Sequence, residues 1–382
     1  MRFYVALWAG KLAILTSRLL GKGASHFPGS VAKTVDPDVL RRLASQVRRE
    51  AIIVTGTNGK TTTARMISDI LTGAGFTVVH NRSGATLVLN ADDPLVASLG
   101  EASPVRVVYY GLADDRLGTD TMEQAREAKY CLRCGQPYDY DFFFYAHLGR
   151  YRCPNCGQVR PDPLYRAEDV HLAGARGVQL RLVGPKLDTK VSVTLPGLYN
   201  TYNVLAAATA ASVLGLRPAD VKRGLESSHA HFGRMETVVI DGRDVLIALV
   251  KNPVGFNEVV RTVLDGQGPK SLVIAINDNY ADGTDISWLW DVDLEVLGER
   301  QDEFDAIITS GIRAADMAVR LKYAGIKSER ILVVNDVWEA VQQGLAGVQP
   351  GGMLYVLPTY TAMLDVRDQI ARHGYTRQFW EV

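Results

Sequence analysis

Short apolar runs alternate with stretches of helical spacing over much of this chain. Residues 51–55, 77–80, 86–90 and 105–109 are strand-length runs dominated by Val, Ile and Leu, and 61–73 carries helical spacing. That succession predicts a parallel sheet covered by helices. Residues 178–182 and 190–195 alternate as a hairpin does, and the alanine-rich stretch 203–214 predicts a helix stopped by Gly215. A further unit starts near Glu236. Residues 245–250, 271–276, 306–309, 331–334 and 353–357 read as buried strands with helices between most of them, one at 336–345, and predict a doubly wound α/β domain. The first 50 residues read as helical, with Pro37 and Asp38 at a helix start before 40–47. The predicted domains are therefore 1–50, 51–235 and 236–382.

Composition adds little beyond this. The 382 residues are 47% hydrophobic and 22% charged, with 42 basic and 42 acidic side chains, which is ordinary for a globular protein and gives no support for a nucleic-acid binder. Residues 3–20 are apolar enough to suggest a signal peptide. Lys11 and Arg18 interrupt them and no small-residue cleavage site follows, so an amphipathic helix packed on the first domain is expected, with a weak membrane-surface contact as the alternative.

The strongest motif is Gly56-Thr57-Asn58-Gly59-Lys60-Thr61-Thr62, set between an apolar strand and a helix. Glycines let backbone N–H groups converge on phosphate oxygens, and the helix N-terminus adds a positive dipole end. Lys60 supplies charge for the β- and γ-phosphates of ATP, and the Thr61 hydroxyl is a candidate Mg²⁺ ligand. Val54 stands where the usual P-loop has its first glycine. A chance glycine-rich turn is the competing reading, and the flanking strand and helix oppose it.

All four cysteines fall in one insert, residues 130–158. Cys131 and Cys134 form one CxxC pair and Cys153 and Cys156 another, with 18 residues between the pairs and a glycine after each, Gly135 and Gly157. Four thiolates suit a closed, tetrahedral, structural Zn²⁺ site. Two disulfides or inert thiols are the bland alternatives. No cysteine is left over for a catalytic thiol.

Residues 55–63 resemble the nucleotide signature of the Mur ligase superfamily, which includes folylpolyglutamate synthase. More of the chain follows in the same order: Asn90-Ala91-Asp92-Asp93-Pro94, the helix string 199–207 with Asn203 as the base-facing candidate, and Phe232-Gly233-Arg234-Met235-Glu236, where the arginine of the family lies near the nucleotide. Lys251-Asn252-Pro253 replaces the Asp-Tyr-Ala-His-x-Pro run of ordinary members. The cysteine insert, the string 277–291 and the string 359–364 resemble one branch, the synthetase subunits of lipid II isoglutaminyl synthase. The fold implied is a Mur ligase-like P-loop central domain with an inserted four-cysteine zinc ribbon, followed by a doubly wound α/β C-terminal domain.

That resemblance implies a carbon–nitrogen ligase that amidates the D-glutamate α-carboxylate of the lipid II stem peptide through an acyl phosphate. Ammonia comes from glutamine through a separate GatD-type glutaminase, so the expected partner is that subunit and the expected location is cytoplasmic, at the inner face of the membrane. In the family an aspartate of the synthetase completes the partner's Cys–His pair; Asp282 is the first candidate here and Asp285 the second. One departure stands out. Only residues 81–85 separate the strands at 77–80 and 86–90, too few for a parallel crossover. Family members carry a long stretch there, with an acidic metal ligand. An amino-acid-adding ligase and a non-catalytic, ATP-binding zinc scaffold are the competing functions.

Overall fold

A computed structural model of the chain describes residues 2–19, 27–39, 59–74, 86–120, 128–228 and 234–376, together with Ile52, Val54 and Thr55. The predicted strand at 77–80, the helix at 40–47 and the short join at 81–85 lie outside the described residues, as do Thr57 and Asn58.

Two sheets organise the described residues. The first has the order β1-β2-β5-β6-β7. It is built from β1 (Thr86–Asn90), β2 (Arg106–Leu112), β5 (Tyr165–Leu172), β6 (Val178–Gly184) and β7 (Leu187–Val193). The first three are parallel, while β5, β6 and β7 run antiparallel to one another. The sheet is therefore mixed rather than purely parallel. The predicted hairpin is its β6–β7 end. Three helices cover it: α3 (Lys60–Gly73), α5 (Leu198–Val213) and α6 (Pro218–Glu226), which close one core over Ile70, Leu182, Leu205 and Leu225. Helix α5 starts five residues before the predicted start of 203, because the polar string Tyr199–Thr201 is already helical behind Gly197 at φ 91°. A short helix, α4 (Pro94–Ser98), follows β1.

The cysteine insert is a separate antiparallel hairpin, β3 (Asp139–Tyr145) with β4 (Leu148–Arg152). Its aromatic rows stack on one another, Tyr140 on Phe143 with ring centroids 4.2 Å apart. Cys131, Tyr138, Tyr151 and Cys153 form a small core with Ala97 of α4 and Tyr109 of β2, which seats the ribbon against the first sheet.

The second sheet has the order β12-β11-β10-β13-β9-β8. Its strands are β8 (Arg234–Ile240), β9 (Arg243–Ala248), β10 (Lys270–Ala275), β11 (Phe304–Ser310), β12 (Ile331–Val333) and β13 (Met353–Pro358), all parallel except the β8–β9 hairpin at one edge. Every residue of β10 is buried, as a central strand covered on both faces requires. Leu272 and Ile274 meet α7 (Pro253–Asp265), α8 (Glu295–Glu299) and α9 (Ala314–Tyr323) on one face. Val273 points to the other face, with α10 (Val337–Gly347) and α11 (Tyr360–Arg372). This is the doubly wound arrangement the strand pattern predicts.

The N-terminal segment forms α1 (Arg2–Leu19) and α2 (Phe27–Val35), packed on each other through Ala6, Ala32, Val35 and Val39. No helix among the described residues is long and apolar enough to cross a membrane.

Candidate functional site

The phosphate-loop motif ends at Gly59, the N-cap of α3, with φ 76°. Only glycine holds that conformation without strain. Glycine is also needed for space: a Cβ there would lie 2.2 Å from the Asn203 side-chain oxygen. The first turn of α3 carries no acidic residue, so its positive end is left for an anion. Lys60 is exposed at that end, and Thr62 is half-buried beside it.

Asn203 sits on α5, buried against this turn. Its Oδ1 accepts from the Thr63 hydroxyl at 3.1 Å, and its Nδ2 donates to Asn200 Oδ1 at 2.9 Å. Asn200 in turn donates to the Pro196 carbonyl at 2.7 Å. The residue expected to face the base therefore ties α5 to the first turn of α3.

The next residue back, Tyr202, enters a network that sequence reasoning missed. Its hydroxyl donates at 2.8 Å to Asp92, which is fully buried and also accepts from the Leu112 amide at 2.8 Å and from Arg160 Nε at 2.5 Å. Arg160 donates further to the Leu112 carbonyl at 2.8 Å. Burial pushes the Asp92 carboxyl up, while Arg160, the Leu112 amide and Tyr202 oppose that rise. Burial and the Asp92 charge push the Tyr202 hydroxyl up, so it stays a donor. Asp93, its neighbour, caps α4 through the Leu95 and Val96 amides and lies 3.4 Å from His147 at the tip of the ribbon hairpin. The resemblance had marked the Asn90–Pro94 string, and nothing in the pattern pointed to Arg160 as its partner.

The four cysteine sulfurs all lie within 4.8 Å of one another. Cys131 and Cys156 are 3.5 Å apart and Cys134 and Cys153 are 3.4 Å apart, far beyond a disulfide bond of about 2.05 Å and near the ~3.8 Å edge that tetrahedral Zn–S bonds of about 2.3 Å imply. Each pair closes the same turn. The amides of Gly135 and Gly157 donate to the Cys131 and Cys153 carbonyls, and both glycines have positive φ, 74° and 72°. The Gln136 amide draws the Cys134 thiol down to about 6. Gln158 ties the cluster to the sheet side: it accepts from Cys131 and Tyr138 and donates to Glu101 at 2.6 Å. Residue types, separations and turns all fit a closed structural metal site.

At the second sheet, the two strings marked by the resemblance meet. Thr361, at the start of α11, donates to Asp282 from its amide at 2.7 Å and its hydroxyl at 2.6 Å. Asn277 and Asn279 both donate to the Thr361 hydroxyl oxygen. Asp282 also accepts from the Asn279 amide at 3.2 Å. Asp278 is bound by Arg313. Asp285 is exposed and accepts from the Ser287 amide at 2.8 Å, which pulls its carboxyl down. Beyond Asn277 and Asn279 lies an open cavity of about 620 Å³ bordered by Asp336, Trp338 and Arg372. Lys251-Asn252-Pro253 starts α7, with Asn252 capping the Gly255 amide at 2.8 Å. The side chains of Thr61 and Arg234 are outside the description.

The model of a family described as MurT ligase C-terminal matches residues 249–363. The chain is 31% identical to the MurT subunit of lipid II isoglutaminyl synthase (glutamine-hydrolyzing) of Staphylococcus aureus strain N315, over 97% of this chain and 98% of that one. It is 29% identical to the corresponding subunit of Streptococcus pneumoniae strain R6, over 98% of each. An alignment of 448 positions with the first of these, against a chain of 382 residues, leaves that relative at least 66 positions this chain lacks. Among solved structures, a pseudomurein peptide ligase type C from Methanothermus fervidus is similar in fold, with a TM-score of 0.65, 21% identity, and 88% of this chain and 81% of that one covered.

Proposed function

This chain belongs to the family of MurT subunits of lipid II isoglutaminyl synthase, and from that premise we propose that it is the ATP-using half of a glutamine-dependent amidating ligase. It amidates the α-carboxylate of D-glutamate in the lipid II stem peptide to D-isoglutamine. A carboxylate oxygen attacks the γ-phosphorus of ATP and ADP leaves. Ammonia attacks the acyl carbon of the resulting acyl phosphate, inorganic phosphate departs, and the nitrogen gives up a proton.

The N-terminus of α3 holds the phosphates through backbone N–H groups from Gly59 to Thr62, and Lys60 neutralises the charge that builds on them. Mg²⁺ would add to that neutralisation, with the Thr61 hydroxyl as its protein ligand. Asn203 and Arg234 serve the nucleotide from α5 and from the start of β8. Cys131, Cys134, Cys153 and Cys156 hold one structural Zn²⁺. The reading keeps domain boundaries near residues 50 and 235, the second supported by the separate cores of the two sheets.

Ammonia arrives from a GatD-type glutaminase docked on the C-terminal unit. Asp285 is the acid assigned to the partner's Cys–His pair, because it is open to solvent and held by Ser287 alone among the bonds described for it. Asp282 shapes the same loop from inside. The complex works in the cytoplasm at the membrane face where lipid II lies.

What carries the reading is the way α3, Gly59 and Asn203 interlock at the end of a Mur ligase-like fold. The test is ammonia-dependent conversion of lipid II followed by mass spectrometry, with glutamine replacing ammonia only when the glutaminase is present. An amino acid accepted in place of ammonia would make the chain an adding ligase. A weaker catalyst is favoured by one observation, the positions this chain lacks against its relative. We place these at the join of residues 81–85, where the acidic metal ligand of the family belongs, and expect ATP binding to survive with slow amidation.

A further inference from the structure

Helix α1 is packed the opposite way from an ordinary surface helix. Its small residues face inward: Ala6 and Ala13 are 0% and 7% exposed and Gly10 between them is buried, with Ala6 and the half-buried Leu7 packed against Ala32, Val35 and Val39. Its large apolar residues face out, with Trp8 70% exposed, Tyr4 67%, Leu12 62% and Val5 52%. Positions 4, 8 and 12 fall on one row at helical spacing. A helix that only had to join the fold would bury this row and expose the alanines.

The charge on this segment is one-sided. The first 35 residues contain Arg2, Lys11, Arg18, Lys22 and Lys33, and no aspartate or glutamate before Asp36, although acids and bases balance over the whole chain. Lys11 lies on the apolar face itself, its ammonium 5.3 Å from the centre of the Trp8 ring. An indole, a phenol and a leucine side by side with a lysine suit the boundary between headgroups and acyl chains. There rings sit half in hydrocarbon, and amine heads reach lipid phosphates. Crossing the bilayer is excluded for α1 by its 18-residue length with Lys11 in the middle, in line with the absence of a spanning helix among the described residues.

We propose that α1 lies flat on an anionic phospholipid surface, with Tyr4, Trp8 and Leu12 inserted and the basic residues around them on the headgroups. The proposal goes beyond the ligase reading and rests on it only for its purpose: an acceptor carried on a lipid is searched for in two dimensions once the enzyme is on the same surface.

The test is sedimentation of the full chain with vesicles of phosphatidylglycerol and phosphatidylcholine, free of lipid II, against vesicles of phosphatidylcholine alone. Wild type is expected to bind the anionic vesicles at least tenfold more tightly, and less so as salt rises. The double variant Trp8→Ser, Leu12→Ser and the single variant Lys11→Glu should each lower that binding, the double variant at least tenfold. Both should keep their elution volume and ATP binding, since the changed side chains face solvent. Equal binding of neutral and anionic vesicles would overturn the proposal, as would undiminished binding of the double variant. So would a wild-type dimer that the double variant dissolves with no vesicle binding at all, which would make this face a contact between copies. Amidation separates this from the ligase reading. Variants that fail on lipid II in vesicles but work on detergent-solubilised lipid II support α1 docking. No amidation of either by wild type would remove the ligase reading and leave the vesicle result standing.

Discussion

The ends of the two sheets handle polar side chains in opposite ways. Beside α3, the groups around the phosphate loop are buried and mutually bonded: Thr63, Asn203, Tyr202 and Asp92 are all under 9% exposed, and Asp92 accepts three hydrogen bonds. Beyond β10, the loop that begins at Asn277 stands open, with Tyr280 97% exposed and Asp285 in solvent. A small molecule whose phosphates must be placed to a fraction of an ångström needs the first kind of site, in which each donor is locked by a second residue. A protein partner supplies its own second half, so the second kind suffices for it. The inward site holds its geometry by burial, and the outward loop by a few bonds at its base, from Thr361 to Asp282 and from Arg313 to Asp278.

The largest effect on ATP affinity should come from Lys60, an exposed side chain at the start of α3. Replacing Lys60 with alanine removes the charge next to the phosphates, worth about 3 kcal/mol or ~100-fold in ATP affinity by the strength of charged hydrogen bonds. Calorimetry should show that loss with an unchanged melting temperature. Unchanged affinity would mean that the end of α3 does not hold the nucleotide.

Next is Asp92. Alanine there strands Arg160, which is 12% exposed along its side chain, and should cost about 3–5 kcal/mol in urea unfolding, with weaker ATP binding through Tyr202 and Asn203. A loss below about 1 kcal/mol, the worth of an exposed pair, would show that burial is not what holds this site.

The outward loop should behave differently. With the glutaminase bound, Asp285→Asn should lower glutamine hydrolysis, because the partner's histidine loses the acid that orients it, and leave ATP binding and stability alone. Asp282→Asn should instead destabilise the loop by about 1 kcal/mol, the worth of the hydrogen bonds it weakens. If only Asp282→Asn affects hydrolysis, the acid is the buried one of the pair and the contrast between the two sites narrows.

The smallest effect is a pH effect. Arg300 first, and then Lys270, hold the Glu303 carboxyl down at about 2. Its folded pKa is depressed, so its contribution is present above the unfolded value near 4.5 and is lost as pH falls toward 2. Glu303 is 38% exposed along its side chain, so screening limits that contribution to about 1 kcal/mol or less. Glu303→Gln should flatten the acid limb of the stability curve for the C-terminal unit, as followed by hydrogen exchange in β10 and β11.

Much of this was legible before the structure. Buried parallel strands such as β10 announce themselves as unbroken apolar runs, and the cysteine spacing alone placed four thiols together. The glycine at position 59 and the lysine after it were readable because backbone geometry and charge each demand one residue type. What was not legible depends on contacts between distant residues. Nothing near Arg160 in the chain shows that it will reach Asp92, 68 positions away. The hairpin β6–β7 was read from its alternation, but β5, parallel to β2 and antiparallel to β6, was missed, because a half-buried strand does not show which neighbours it will meet. The outward row of α1 was not foreseen for a related reason: helical spacing identifies two faces without saying which one the fold covers.

The contact between Gly59 and Asn203 has a consequence for how such sequences can drift. Any side chain at 59 would collide with the amide oxygen at 203, and a shorter residue at 203 would release Thr63 and Asn200 together. Room made at 203 would therefore not free position 59, because its left-handed backbone at φ 76° still asks for glycine. The dependence runs one way: 203 can be tested for the bonds it makes, while 59 is fixed by backbone and space together.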